Sequence, residues 1–188
     1  MKNSLFPCNR IDPTSSRTPT GNISPMAQKA IDAKDTPRNG DSQYARFDIK
    51  HYTHWTLRTA DKQWYLGQAL IWLERSGNMQ RLSSLTEAER SELWNVILPE
   101  YEAAVQELWQ PDHMNYAWLG NDFHFHNGHG HLHLIPRYKT PRNFAGRQFV
   151  DDRWGHNYVP CTQEPAPIEV VHAVRDALIS QMLYHRSV

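Results

Sequence analysis

The sequence lacks the features that would place the protein in a membrane or in an oxidising compartment. Cys8 and Cys161 are its two cysteines, and two such distant residues make no disulfide framework. No stretch approaches the run of about 18 apolar residues that spans a bilayer. The first residues also contain no apolar region of the kind that a secretory signal needs. We therefore expect a soluble protein of the reducing cytoplasm, with no membrane partner.

The sequence also has no net charge at pH 7. The chain of 188 residues carries 20 Lys and Arg against 20 Asp and Glu. A chain with this balance has no overall excess of charge that would indicate binding to a nucleic acid polymer or a charged membrane surface. A single nucleotide needs only a few local contacts, so it is still compatible with this composition.

Residues 1–43 have few apolar side chains, and these show no period. Five of the 12 prolines fall in this segment, among Ser, Thr, Asn and Asp. Such a segment cannot bury enough surface to offset its chain entropy. We predict that residues 1–43 form a disordered or loosely docked tail, and that residues 44–188 form one domain.

The sequence of the domain predicts two strands, a helix, two more strands and a terminal helix. Strands are predicted over residues 54–59, 69–73, 115–119 and 129–135, where Pro136 should end the last one. A capping box at Thr86–Glu89 starts a helix that Pro99 should kink or split. Its apolar residues share one face, which comprises Leu93, Ile97, Tyr101, Ala104 and Leu108. A long loop is expected from Arg137 to Pro165, followed by a C-terminal helix from about Pro167. The core face of that helix should comprise Val171, Val174, Leu178 and Met182. The order of elements predicts an α+β fold with a mainly antiparallel sheet.

Histidine is concentrated in one place. Five of the 11 histidines lie between residues 124 and 133. Side chains two residues apart on a strand share a face, about 6.6 Å from each other, so His129, His131 and His133 should line one face. Gly130, Leu132 and Leu134 should then line the face that packs on the core.

Two chemistries suit such a cluster. Neutral imidazole is a nucleophile near pH 7, and attack at phosphorus divides one hard displacement into two easier ones. The neighbouring imidazoles could donate hydrogen bonds to the phosphate oxygens. The alternative is a metal site, because His124, His126 and His129 have the HxHxxH spacing of some metallo-hydrolases.

The stretch HGHLHLIPR, from His129 to Arg137, resembles the signature of the histidine-triad family. The segment NYAWLGN before it, WTLR at Trp55 and LTEAE at Leu85 are similar to flanking parts of bacterial members. The resemblance covers residues 44–185. It implies a sheet-plus-helix fold that is commonly a homodimer, and hydrolysis or transfer at the α-phosphate of dinucleoside polyphosphates, nucleoside phosphoramidates or related conjugates.

The resemblance also implies roles for individual residues. His131 would be the nucleophile that becomes nucleotidylated, His133 would contact phosphate oxygens, and His129 would orient the site. No metal would be required, although His124 and His126 could hold an accessory divalent ion. The candidates for substrate and phosphate contacts are Asn115, Asn121, Gly130, Arg137 and Asp61. Trp55 and the other tryptophans could stack on a base, but most of them should belong to the core or an interface. A nucleotide-binding or sensing module with slow turnover is the alternative from another functional class.

Overall fold

The computed structural model describes residues 44–77, 81–121, 128–159 and 161–184. The predicted tail, residues 1–43, lies outside the described residues, and so do His124 and His126. The described chain is α+β, as predicted, with a five-stranded sheet, a two-stranded hairpin and three α-helices. The elements are β1 (Asp48–His51), β2 (Trp55–Thr59), β3 (Ala69–Leu73), α1 (Glu87–Glu92), α2 (Leu98–Trp109), β4 (His113–Trp118), β5 (His131–Arg137), β6 (Arg142–Phe144), β7 (Arg147–Phe149) and α3 (Ile168–Tyr184).

The sheet has the order β1-β2-β3-β5-β4, and every neighbouring pair is antiparallel. Directly paired residues lie on the same face, so the register sorts the side chains. Leu57, Ile71 and Leu132 pair in one row and face the helices. The opposite face, called the histidine face below, carries Thr56, Arg58, Leu70, Trp72, Asn115, Ala117, His131, His133, Ile135 and Arg137.

One hydrophobic core lies between the sheet and the helices. The predicted apolar stripe of the central helix faces the core, with Leu93, Ile97, Tyr101 and Ala104 fully excluded from solvent and Leu108 half-buried. The C-terminal helix α3 begins directly after Pro167, and it buries its own predicted stripe, which comprises Val171, Val174, Leu178 and Met182. Both periodicity predictions are confirmed. Within the described ranges, no helix is both long and apolar enough to cross a bilayer.

The central helix is interrupted next to Pro99 but is not divided in two, because α1, a π-helical turn and α2 follow one another without a gap. Thr86 and Glu89 form the expected capping box at the start of α1. Between α1 and α2, residues Leu93–Ile97 form a π-helical turn, in which the Leu98 amide donates to the carbonyl of Leu93. Pro99 follows at once and has no amide hydrogen to continue the α-helical ladder.

Two sequence predictions in this region are wrong. The strand β5 does not end before Pro136; it runs from His131 to Arg137. The strand β3 pairs with β5 only as far as Leu134, so Pro136 has a neighbour on one side alone and the missing donor is tolerated. The expected loop after Arg137 also contains the β6–β7 hairpin, whose turn places Ala145 and Gly146 at positive φ.

Candidate active site

The strand β5 brings two of the three triad histidines together. His131 and His133 alternate with Leu132 and Leu134, which are buried in the core, so both imidazoles lie on the histidine face. Their ring centroids are 4.8 Å apart. His131 is 6% exposed, whereas His133 is half-buried. The prediction that these two rings share a face is confirmed.

His129 reaches the same side by a different route. It precedes β5, so strand alternation does not place it, and that part of the sequence argument is wrong. Its Nδ1 lies 2.8 Å from the carbonyl oxygen of Leu73. A carbonyl only accepts hydrogen bonds, so Nδ1 carries the proton and Nε2 of the neutral ring keeps its lone pair. Gly130 is buried beside it, and its carbonyl accepts a bond of 2.9 Å from the Leu73 amide.

Trp72 is the residue of this site that the sequence analysis missed. It pairs directly with His131 across β3 and β5. Its indole is stacked on the ring of His131, with centroids 5.5 Å apart and an interplanar angle of 17°. The same indole is stacked on His129 at 5.4 Å and 26°. Alternation along β3 puts Trp72 on the face opposite the core, but no local pattern shows that β3 lies beside β5.

A buried ion pair lies behind the indole. The guanidinium carbon of Arg58 is 5.1 Å from the Trp72 ring centroid, and Arg58 Nε is 3.1 Å from an oxygen of Asp48. Burial lowers the pKa of Arg58, and burial raises the pKa of the Asp48 carboxyl against the opposing effect of Arg58. Both shifts have the same cause, because little water reaches this part of the sheet.

Arg137 does not have the environment of a phosphate contact. It lies on the histidine face, but its side chain is 4% exposed and forms a bidentate pair with the fully buried carboxylate of Asp151, at 2.6 and 2.9 Å. Its remaining hydrogen bonds go to the carbonyl oxygens of Arg153 and His156. The hydrogen bond with Asp151 also raises the pKa of Arg137. The side chain therefore fastens the segment after β7 to the sheet.

The remaining candidates lie at different distances from the triad. Asn115 is on the histidine face of β4, one row beyond Ala117, which pairs with His133. Asn121 is exposed just after β4. Asp61 is exposed in the turn after β2, three residues past Arg58, which is in the row of His133. At about 3.3 Å per residue, Asp61 is roughly 10 Å along the sheet from that row.

Two further predictions concern base stacking by a tryptophan and metal binding by the histidines. Trp55, considered for base stacking, is completely buried, and its indole nitrogen donates to the carbonyl of Glu89. It therefore belongs to the core. In the described part of the chain, no group of three or more metal-ligating side chains is close enough to hold an ion. The metal hypothesis also includes His124 and His126, which lie outside the described residues.

The geometry can be compared with that of known proteins. No protein-family profile and no curated protein sequence matches this chain. Among solved structures, a histidine triad protein from Bradyrhizobium japonicum is 18% identical, with a TM-score of 0.55 over 72% of this chain and 89% of that one. A hypothetical histidine triad nucleotide-binding protein from Sulfolobus tokodaii is 10% identical, with a TM-score of 0.53 over 74% and 85% of the two chains.

A third similar structure is that of a known enzyme. It is a diadenosine triphosphate hydrolase from Plasmodium falciparum in complex with cyclomarin A, 14% identical, with a TM-score of 0.50 over 74% of this chain and 78% of that one. Identities this low establish the fold alone. The five-stranded antiparallel sheet, the long central helix and the C-terminal helix therefore match those of the histidine triad fold.

Proposed function

We propose that this protein is a nucleotidyl hydrolase or transferase of the histidine-triad type. Its substrates would be dinucleoside polyphosphates, nucleoside phosphoramidates or related nucleotide conjugates, cleaved at the α-phosphate. The observation that carries the proposal is the grouping of three imidazoles on one side of the sheet. His131 and His133 are 4.8 Å apart, and His129 is stacked on the same indole as His131.

The reaction takes place in two displacements at phosphorus. The unprotonated ring nitrogen of His131 donates its electron pair to the α-phosphorus, and the bond from phosphorus to the leaving group breaks. The leaving group departs with that electron pair and takes up one proton. Water then attacks the same phosphorus, the P–N bond breaks, and His131 regains its electron pair. The water gives up its proton, and the product is a nucleoside monophosphate.

The other two histidines assist without forming a bond to phosphorus. His133, beside His131 and half-buried, donates a hydrogen bond to a nonbridging oxygen, where negative charge is held in the transition state. His129 has its Nδ1 proton committed to the Leu73 carbonyl, which fixes the orientation of its ring. Its Nε2 is then the ring atom that accepts a proton from the substrate or donates one to it.

No step in this scheme uses a metal ion, and none uses a nucleic acid polymer. The substrate contacts proposed outside the triad are the backbone at Gly130 and the amides of Asn115 and Asn121. A homodimer and a cytoplasmic location belong to the same proposal. The diadenosine triphosphate hydrolase with the same fold supports the choice of substrate class.

The test is a panel of nucleotidyl substrates assayed with the purified full chain. Diadenosine triphosphate and adenosine phosphoramidate are tested for release of AMP, with and without a chelator. His131→Asn should reduce turnover by roughly a thousandfold or more. His113→Asn is the matched control, since His113 pairs with Arg137 at the far end of the same face and is exposed. It should leave turnover unchanged.

The covalent step is tested by mass spectrometry of the acid-sensitive intermediate. Protein quenched during turnover should carry one nucleotidyl group, and His131→Asn should carry none. Loss of all turnover in the chelator, restored by zinc, would instead support the metal-dependent hydrolase built on His124, His126 and His129. Tight nucleotide binding without turnover would support the sensing module.

A further inference from the structure

We infer that Trp72 is the positioning residue of this site: its indole is the common surface that sets the ring planes of His129 and His131. The inference about ring positions rests on the geometry, and its consequence for catalysis rests on the proposed function. A residue that aligns the nucleophile acts through His131 and touches neither the phosphate nor the leaving group.

A single side chain is stacked on two imidazoles of the site. Trp72 faces His131 directly across the β3–β5 pair, where side chains of paired residues contact each other. The interplanar angles of 17° and 26° show that both imidazoles lie nearly parallel to the indole. His133, the neighbour on β5, is tilted by 60° to His131. The ring plane of the proposed nucleophile is therefore aligned with the indole and not with the ring of His133.

The indole is itself held from the opposite side. Arg58 is diagonal to Trp72 across β2 and β3 and lies over its ring at 5.1 Å. Arg58 is 9% exposed and is paired with Asp48 on β1. Thr56, which pairs directly with Trp72, is fully buried and donates a hydrogen bond to Glu74. These contacts restrict rotation of the indole, so its face is a fixed reference for the imidazoles.

This alignment has a chemical consequence in the covalent step. When His131 is bonded to phosphorus through one nitrogen and protonated on the other, its ring carries a positive charge. The face of an indole attracts such a cation, and tryptophan is the side chain that does so best. Trp72 therefore favours the state that follows attack over the neutral ring that precedes it. The effect should appear in kcat more than in KM.

The positions of the rings can be tested without any substrate. Ring protons above an indole face resonate upfield, so NMR of histidine-labelled protein reports the stacking directly. Trp72→Leu should move the ring protons of His129 and His131 downfield, and Trp72→Phe should retain part of the upfield shift. The internal control is a stacked pair elsewhere on the described chain, His113 on Trp154, with centroids 5.5 Å apart and an angle of 9°. Trp154→Leu should move the signals of His113 alone.

The kinetic test uses the same variants. Trp72→Leu should lower kcat by roughly tenfold and change KM by less than about twofold, whereas Trp72→Phe should recover most of kcat. Trp94→Leu is the control for a lost tryptophan, because Trp94 is 56% exposed on the helical side of the molecule. It should change neither constant. Thermal unfolding of each variant verifies that the fold is kept.

The outcomes separate the inference from the proposed function. Unchanged His129 and His131 signals in Trp72→Leu overturn the positioning role, whatever the enzyme does. If the signals move as expected but kcat is unchanged, the catalytic part is overturned. If the wild-type chain turns over no nucleotide, the proposed function fails, and the NMR result alone decides whether the two imidazoles stack on the Trp72 indole.

Discussion

The ion pair between Arg137 and Asp151 allows a quantitative prediction. Asp151→Ala removes the carboxylate and leaves the guanidinium in a place where it is 4% exposed, next to a carboxylate site that is 0% exposed. Water cannot replace the lost partner there. Breaking a buried pair in this way costs about 3–5 kcal/mol, which is a large part of the roughly 5–15 kcal/mol that stabilises an ordinary domain.

The assay is equilibrium unfolding in urea together with a thermal scan. For a chain of this size, each kcal/mol shifts Tm by about 2–4 °C, so Asp151→Ala should unfold roughly 6–20 °C below the wild type. The control is Asp176→Ala, which removes an exposed partner of Arg175. Surface pairs contribute little, and this control should stay within about 1 kcal/mol of the wild type.

A double variant tests the cause of the loss. Arg137→Met combined with Asp151→Ala removes both charges, so it should be more stable than Asp151→Ala alone. The carbonyls of Arg153 and His156, which lose their donor, lie near the surface and can bind water instead. The reasoning is refuted if Asp151→Ala unfolds within about 1 kcal/mol of the wild type while Arg137→Met raises KM for nucleotides. Arg137 would then be a phosphate contact.

Three further predictions concern stability. Gly67→Ala should destabilise the protein more than Gly146→Ala by thermal unfolding, since both have positive φ but only at Gly67 would a Cβ meet Trp109 at 2.7 Å; equal losses would contradict this. Thr86→Ala should cost about 1 kcal/mol in urea unfolding by removing the side-chain cap of α1, whereas Ser91→Ala, on the exposed surface of α1, should cost little. The hydrogen bond from Arg75 lowers the pKa of Glu89 below its ordinary value of 4.5. The ionised carboxylate therefore stabilises the fold when the pH is above that ordinary pKa, and this stability is lost as the pH falls through the lowered pKa. Glu89→Gln should therefore be less stable at pH 7 and lose less on acidification, and an unchanged acid limb would count against this role.

The elements that were predicted well are those whose burial repeats along the chain. The helix α3 was found from the spacing of Val171, Val174, Leu178 and Met182, because one buried face imposes a period of 3.6 residues. The strands β2 and β3 were placed within a residue of their ends, since β-branched and aromatic residues cluster there. The interruption next to Pro99 was predictable because a missing amide hydrogen acts locally, although the helix continues through a π-helical turn instead of splitting.

The errors concern features that depend on a distant part of the chain. Pro136 continues β5 because β3 ends beside Leu134, which is a fact about the register. The β6–β7 strands have three residues each, too few to show a period, and their Ala145–Gly146 turn lacks the Asn-Gly or Asp-Gly signal of a tight hairpin. Arg137 is bound by Asp151, 14 positions away, and the sequence contains no local sign of that pairing.

The site combines both kinds of information. Alternation on β5 is local, so the shared face of His131 and His133 could be derived from spacing alone. His129 is outside the strand, and its place depends on the carbonyl of Leu73, a residue 56 positions earlier. Trp72 comes from that same strand β3, so a single pairing of β3 with β5 supplies both the hydrogen bond that fixes one imidazole and the indole that aligns two. The spacing of the histidines therefore identifies the reactive groups, whereas the strand pairing determines how their rings are oriented.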